Sequence, residues 1–264
     1  MLKITSLDNK KIKDVIFLYK NKNRQEKGLI IVDGLREIIL AKKAGLEIVE
    51  LYFCPDLLKE SLDRFYSLDE RKKIEVSEAV FKKICYKENP DGFLALIKKP
   101  EQDIKKIKLS KKPLIVILEA VEKPGNLGAI IRTAYAAGVE AIIINEGQTD
   151  IYNPNVIRAS EGLIFFQPIF NLSLKETFLF FKKNKIKTFA AGTKGSIDYL
   201  NADYNQACAV VLGSEDKGLS EKWLKGADKV IKINMKDGVD SLNVSVSGAI
   251  IIFEALRQRK IDKK

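Results

Sequence analysis

The first hundred residues change hydrophobic period repeatedly, from the near-four spacing of a helix to the short apolar runs of strands. Leu7, Ile12, Val15, Ile16 and Tyr19 recur at helical spacing and predict a helix over 7–19 with Ser6 as its N-cap. Strands are predicted at 29–32, 48–53, 73–76 and 92–97. Between them lie helices at 35–44, closed by Gly45, at 56–66 and at 78–85. This alternation predicts a compact α/β unit.

A lysine-rich polar stretch bracketed by Pro100 and Pro113 reads as a linker with at most a helical turn. Beyond it, 114–118 is wholly apolar, as in a strand buried on both faces of a parallel sheet. Further strands are predicted at 141–144, 163–166, 188–191, 209–212 and 230–233, with helices at 127–137, 154–160, 174–183, 221–225 and about 242–259. The expected layout is a small N-terminal α/β domain over 1–99, a linker over 100–112, and a second domain over 113–264 built on an open parallel sheet. Ligands bind such sheets beyond the carboxyl ends of the strands. No internal repeat or low-complexity tract interrupts it.

Composition narrows the partners. Of 264 residues, 46 are Lys or Arg and 35 Asp or Glu, a net charge of +11 that favours a polyanionic partner such as nucleic acid or an acidic membrane surface. Residues 1–111 hold 25 basic and 18 acidic side chains, and 112–264 hold 21 and 17, so the excess leans to the front half. The bland alternative is a solvated, lysine-rich surface. Cys54, Cys85 and Cys208 are an odd number without CxxC spacing, which suggests neither a disulfide framework nor a zinc site; a reducing cytosol is expected. The N-terminus lacks the apolar core of a signal peptide and no run approaches a membrane span, so the expectation is a soluble cytoplasmic protein with no membrane or metal partner. The absence of any histidine removes Ser/His/Asp and Cys/His schemes, imidazole ligands and the usual general base.

Three motifs follow predicted strands of the second domain: 124–134 (PGNLGAIIRTA), 213–220 (GSEDKGLS) and 241–245 (SLNVS). None completes GxGxxG or GxxxxGK[ST], which disfavours ordinary dinucleotide and P-loop chemistry. In the first, Asn126 is placed to cap a helix starting near Leu127, and Arg132 stands among small and apolar neighbours, where a lone cation usually has a partner. Glu215 sits between glycines, either as a turn residue or as an acceptor for Arg132 or a substrate. Ser241 is placed to cap the last helix, whose first turns carry Asn243, Ser245 and Ser247.

Together the motifs resemble the SpoU (TrmH) family of RNA ribose 2′-O-methyltransferases, within the SPOUT superfamily. Asn153-Pro154, the 158–162 segment (RASEG), and Lys20, Lys22 and Arg24 leading into 31–34 extend the resemblance over most of the chain, most specifically 122–253. Two departures are visible: Asn234 stands where the family has proline, which bears on the stiffness of the cofactor loop, and Asp33 where it has glutamate. The resemblance implies that the small N-terminal α/β domain is an RNA substrate-binding domain, that the C-terminal domain is a SPOUT-type parallel sheet tied in a deep trefoil knot, that S-adenosyl-L-methionine is the cofactor, and that the protein is a homodimer with composite active sites. It further implies a catalytic group of Asn126, Arg132, Glu215, Ser241 and Asn243, and a cofactor site lined by Thr193, Gly213, Ile233 and Leu242. Arg158 is a candidate RNA contact that holds substrate phosphate or ribose across the dimer, and the N-terminal half is expected to grip RNA through lysines such as Lys22, Lys42 and Lys43 with nearby Arg24 and Arg36.

The activity implied is methyl transfer to a ribose 2′-hydroxyl of RNA. The two-domain layout resembles members acting on large-subunit (23S) ribosomal RNA more than the shorter transfer-RNA members. Alternatives are a tRNA 2′-O-methyltransferase, or a non-catalytic RNA-binding or ribosome-assembly protein on the same fold. The family proposal makes Arg132 the base, but neutralising an arginine at pH 7 costs roughly 8 kcal/mol. A charged Arg132 that fixes phosphate and stabilises the developing alkoxide is the other version.

Overall fold

Runs of Ile, Val and Phe build two sheets, one in each of two units into which the chain divides. The computed structural model describes residues 1–147, 150–193 and 195–261. The first unit comprises 1–101 together with 150–165; the second comprises 102–149 and 166–264.

The first unit runs β1 (Leu2–Ile4), α1 (Lys10–Phe17), α2 (Asn21–Lys27), β2 (Leu29–Asp33), α3 (Leu35–Lys43), β3 (Ile48–Phe53), β4 (Lys73–Val76), α4 (Glu78–Ile84) and β5 (Phe93–Lys98). Its sheet has the order β1-β4-β3-β5-β2, parallel along β1-β4-β3 and antiparallel at β5. Ile12 and Val15 of α1 and Val80, Phe81 and Ile84 of α4 are fully buried in one core with Ile31, Tyr52 and Leu94 of the sheet. Two local predictions fail. Asn9, not Ser6, caps α1, its side chain accepting from the Lys11 N–H at 2.9 Å, while the Ser6 Oγ closes the preceding turn. The helix predicted at 56–66 is two 3-10 turns, Pro55–Leu57 and Leu62–Phe65, because Phe65 alone is buried there and no apolar stripe holds a continuous helix.

The second unit opens with β6 (Leu114–Glu119), α5 (Pro124–Ala136) and β7 (Ala141–Asn145). The chain then forms α6 (Pro154–Ala159) in the first unit before continuing with β8 (Ile169–Asn171), α7 (Leu174–Asn184), β9 (Lys187–Ala191), β10 (Ile197–Asp198), β11 (Cys208–Leu212), α8 (Glu221–Gly226), β12 (Lys229–Lys232) and α9 (Val244–Ile261). Seven strands form an all-parallel sheet of order β10-β12-β9-β11-β6-β7-β8. All of β6, β7 and β11 is buried, as their unbroken apolar runs require. α9 packs against α5 and β11; a Cβ on its Gly248 would stand 2.8 Å from Leu212. The strand predicted at 163–166 is instead a 3-10 turn, Leu163–Phe165, after Gly162 at φ 78°, and the true strand is β8. A short apolar run does not by itself distinguish the two.

The segment 150–165 lies inside the predicted 113–264 domain yet packs within the first unit. Tyr152, Val156, Ile157 and Ile164 are buried there, α6 contacts β2, and a Cβ on Gly162 would crowd Leu40 at 3.1 Å. Its anchor is an ion pair. Arg24, 2% exposed, donates from Nε and Nη2 to Asp150 Oδ2 at 2.9 and 2.7 Å and from Nη1 to the carbonyls of Leu18 and Tyr19. This corrects the expectation that Arg24 meets RNA: its guanidinium is committed inside the unit. Asp33 is likewise structural. Its Oδ2 accepts the N–H groups of Tyr86 and Lys87, its Oδ1 has no partner, and burial pushes the carboxyl up against those two hydrogen bonds.

Replacing Arg24 by alanine leaves the Asp150 carboxylate buried without its partner and is expected to cost about 3–5 kcal/mol of stability in urea denaturation. Joint replacement with Asp150→Leu should recover part of that loss, and an Arg24→Ala cost below about 1 kcal/mol would show the pair to be incidental.

Candidate active site

Because every strand of the second sheet runs the same way, the segments after β6, β9, β11 and β12 all emerge at its carboxyl edge. They enclose a cleft of about 750 Å³, within the range of small-molecule sites. Leu212, Ile233, Leu242 and Ile251 give it apolar walls, while Thr193, Ser241 and Asn243 supply polar groups. Glu215, Asp216 and Asp240 bring carboxyl groups, against Lys123 and Lys217.

Asn126 joins the three motifs. Its Nδ2 donates to Glu215 Oε1 at 2.7 Å, and its Oδ1 accepts from Asn243 Nδ2 at 3.2 Å. The Asn243 Oδ1 in turn accepts from the N–H and Oγ of Ser245, at 2.9 and 2.7 Å. The expected caps are therefore corrected. α5 begins at Pro124, whose missing N–H suits a first helical position, so Asn126 lies inside the first turn rather than before it. Asn243, not Ser241, caps α9; Ser241 is exposed on the rim of the cleft.

Glu215 takes the place of a side-chain cap on α5. Besides the Asn126 amide, it accepts the N–H groups of Glu122 and Lys123 at 3.4 and 3.3 Å, where the helix dipole favours an anion. Burial alone would raise its carboxyl, but the Asn126 amide and the backbone N–H groups outweigh burial and hold it below the usual range. The loop carrying it closes tightly: Ser214 and Gly218 exchange backbone hydrogen bonds at 3.0 and 3.1 Å, and a Cβ on Gly213 would lie 2.2 Å from the Gly218 carbonyl carbon. Only glycine fits there.

Of the residues expected around a cofactor, Thr193, Gly213, Ile233 and Leu242 all line this cleft, as do Glu215, Ser241 and Asn243 of the catalytic group. Arg132 is exposed on α5 and does not line the cleft; six residues on from Asn126, it points about 120° round the helix axis. Arg158 on α6 and Lys22 on α2 are exposed in the first unit. At the variant position, the Asn234 amide donates to the Asp198 carboxylate and ties the loop after β12 to the end of β10.

The motifs alone missed Glu119. This carboxylate is buried at the end of β6, and both its oxygens are held by Ser220, from the backbone N–H at 2.7 Å and from Oγ at 2.6 Å, which anchors the loop of the second motif. Its signal was an acid directly after a wholly apolar run. Asp240 was also missed, having only its place before SLNVS to mark it. Among the described residues no group of three or more His, Cys, Asp or Glu is placed to hold a metal, and no helix is long and apolar enough to cross a membrane.

Comparison with known proteins agrees with this geometry. A family model described as the SpoU rRNA methylase family matches residues 113–253, and one described as an MRM3-like substrate binding domain matches 9–95. The chain is 26% identical over 259 residues to the 23S rRNA (guanosine(2553)-2′-O)-methyltransferase RlmP of Bacillus subtilis, covering 96% of this chain and 98% of the relative. A crystal structure of an RNA 2′-O ribose methyltransferase is 35% identical with TM-score 0.87, covering 98% of this chain and all of that one. An AdoMet-bound rRNA methyltransferase from Sinorhizobium meliloti is 29% identical with TM-score 0.86, covering 97% of each chain.

A lowered folded-state pKa makes Glu215 stabilising above its unfolded value of about 4.3, and that contribution is lost as pH falls through the folded value. The stability difference between wild type and Glu215→Gln, read from urea denaturation, should be constant above about pH 5 and shrink below about pH 4. A difference that grows on acidification would contradict the capping role.

Proposed function

The chain belongs to the SpoU rRNA methylase family, and from that premise we propose that it transfers the methyl group of S-adenosyl-L-methionine to a ribose 2′-hydroxyl of RNA, the large-subunit (23S) ribosomal RNA. The observation that carries this reading is the hydrogen-bonded chain Asn243–Asn126–Glu215 beside the carboxyl-edge cleft, which unites three separated motifs around one space.

The cleft fits the cofactor in size and chemistry. Apolar walls suit a base, and the acidic groups of its lining suit a cationic sulfonium and amine. When bound, S-adenosyl-L-methionine supplies an electrophilic methyl group. Thr193, Gly213, Ile233 and Leu242 hold it, with Gly213 keeping the loop backbone close. Transfer is an in-line displacement: the bond from carbon to sulfur breaks as the bond from carbon to ribose oxygen forms, the hydroxyl proton leaves to solvent or a substrate phosphate, and S-adenosylhomocysteine is released. Glu215 is poorly suited to take that proton, since its hydrogen bonds stabilise the ionised carboxylate; it positions Asn126 instead. Asn243 and Ser241 orient the ribose. Arg132 stays charged, fixes the phosphate beside it and stabilises the developing alkoxide.

The position of Arg132 supports a homodimer with composite sites. It faces away from the cleft of its own chain, on a surface shared with exposed Tyr135 of α5, and the neighbouring α9 exposes Val246 and Phe253. Apolar exposure of this kind marks an interface. Arg132 of the partner subunit then completes the cleft. The trefoil knot is part of the same reading: β12, last in the chain, lies between β9 and β10, so the earlier segment joining those strands must pass over it. Exposed basic groups of the first unit, Lys22, Lys42, Lys43 and Arg158, grip the RNA backbone. Action on ribosomal RNA would place the protein in the cytoplasm.

Labelled methyl transfer to unmodified 23S rRNA and to tRNA tests the function. Transfer to rRNA should fall by about 10²–10³-fold in Arg132→Ala, and nearly as far in Arg132→Lys, because an ammonium lacks the planar fork. Transfer to tRNA alone would move the substrate. Absence of both transfer and cofactor binding would favour an RNA-binding protein on the same fold.

Co-expression of Arg132→Ala with Leu242→Arg, which obstructs the cleft, should restore activity that neither variant has alone. No recovery in purified mixed dimers would place Arg132 at its own chain's site.

A further inference from the structure

At the opposite, amino edge of the second sheet lies another groove, of about 420 Å³. The strap entering β6 forms one wall and the end of α7 the other. Ile104, Ile107 and Leu109 of the strap and Phe180 of α7 supply apolar surface, and Lys105, Lys111 and Lys183 line the same groove. Ile104, Ile107, Leu109 and Phe180 are partly buried against the core of the unit, so the groove rests on ordered structure. The ends of the strap are fixed: Gln102 Oε1 accepts the Ile169 N–H, and Arg259 donates to the carbonyls of Lys112 and Pro113.

What sets this edge apart is the clustering of its charge. Some exposed lysines elsewhere are paired, as in Lys82 with Glu78 and Lys225 with Glu221. Five lysines between 105 and 112 and three between 182 and 185 are exposed, and among the described residues none of the eight is in an ion pair. The acids beside them are engaged: both oxygens of Glu140 are held by Ser110, and Asp103 accepts the Lys105 N–H. An unneutralised row of ammonium groups over a partly apolar floor containing an aromatic ring is the chemistry that holds a nucleic-acid backbone and stacks a base.

We propose that this groove is a second RNA-contact surface, which binds the phosphate backbone of the substrate RNA at a distance from the methylated ribose. The inference rests on the reading of the protein as an RNA methyltransferase. Six residues of β6 separate the two edges of the sheet by roughly 17–20 Å, so an RNA reaching both must extend well beyond the target nucleotide. The groove thus selects for long, folded RNA over short fragments without touching the reaction.

The test uses the full chain with Lys105→Glu, Lys111→Glu and Lys183→Glu combined, and a matching triple Lys→Arg variant. Two RNAs are compared: an unmodified 23S rRNA transcript and the shortest fragment of it that still accepts methyl. Cofactor affinity, transfer to the short fragment and the thermal midpoint should be unchanged in the Glu variant. Its affinity for the long transcript should fall about tenfold or more, and its log affinity against log salt should flatten by about two, as expected for three lost phosphate contacts. The Arg variant should behave as wild type. Unchanged affinity and salt slope for the long transcript would overturn the proposal, as would equal losses on both RNAs. If wild type transfers methyl to no RNA yet binds the long transcript through these lysines, the catalytic reading fails and the contact surface stands.

Discussion

One side-chain amide holds the site together. Asn126 must donate in one direction, to Glu215, and accept from the other, from Asn243. No carboxylate at that position can donate, and no hydroxyl has the same span. Because the two bonds differ in polarity, they also assign which end of the amide is which. The Asn126 position is set by Pro124, which starts α5 early enough to bring position 126 into the first turn. Glu215 then serves two ends at once, tethering that amide and neutralising the start of the helix. The loops after β6, β11 and β12 are thereby fixed relative to one another by three side chains, and the cleft keeps its shape through them.

The sequence displayed some of this and concealed the rest for identifiable reasons. Apolar runs such as 114–118 and 209–212 became strands buried on both faces, whereas the equally short run 163–166 became a 3-10 turn. The motifs after those strands marked the cleft, since glycine at 213 answers a steric demand that no other residue meets. Caps were harder: Ser6 and Ser241 have the right chemistry, yet Asn9 and Asn243 stand nearer to where tertiary packing starts each helix. Arg24 was misread as a phosphate ligand because its partner, Asp150, is 126 positions away. Glu119 escaped for a similar reason, as its partner Ser220 lies 101 positions on. Long-range pairing of polar groups leaves no local period in a sequence.

The parallel sheet divides labour along its strands. Its carboxyl edge gathers amides, hydroxyls and carboxylates around a small space, in loops whose backbone is pinned by hydrogen bonds. Its amino edge gathers lysines that few other groups neutralise. With no histidine, the chain offers no imidazole to titrate near neutral pH. Glu215 is held below the usual carboxylate range because the Asn126 amide and the backbone N–H groups outweigh its burial.

The return of 150–165 to the first unit has a topological consequence. The chain passes from one unit to the other three times, at about 101, at about 149 and at about 165, so no single cut releases either half intact. Severing the chain near 101 would strip Tyr152, Val156, Ile157 and Ile164 of their cover and leave Asp150 without Arg24. A single crossover that swapped one front half for another would therefore leave a sixteen-residue segment of the first unit behind in the back half. That coupling restrains how freely such a protein can acquire a new substrate-binding half by shuffling alone.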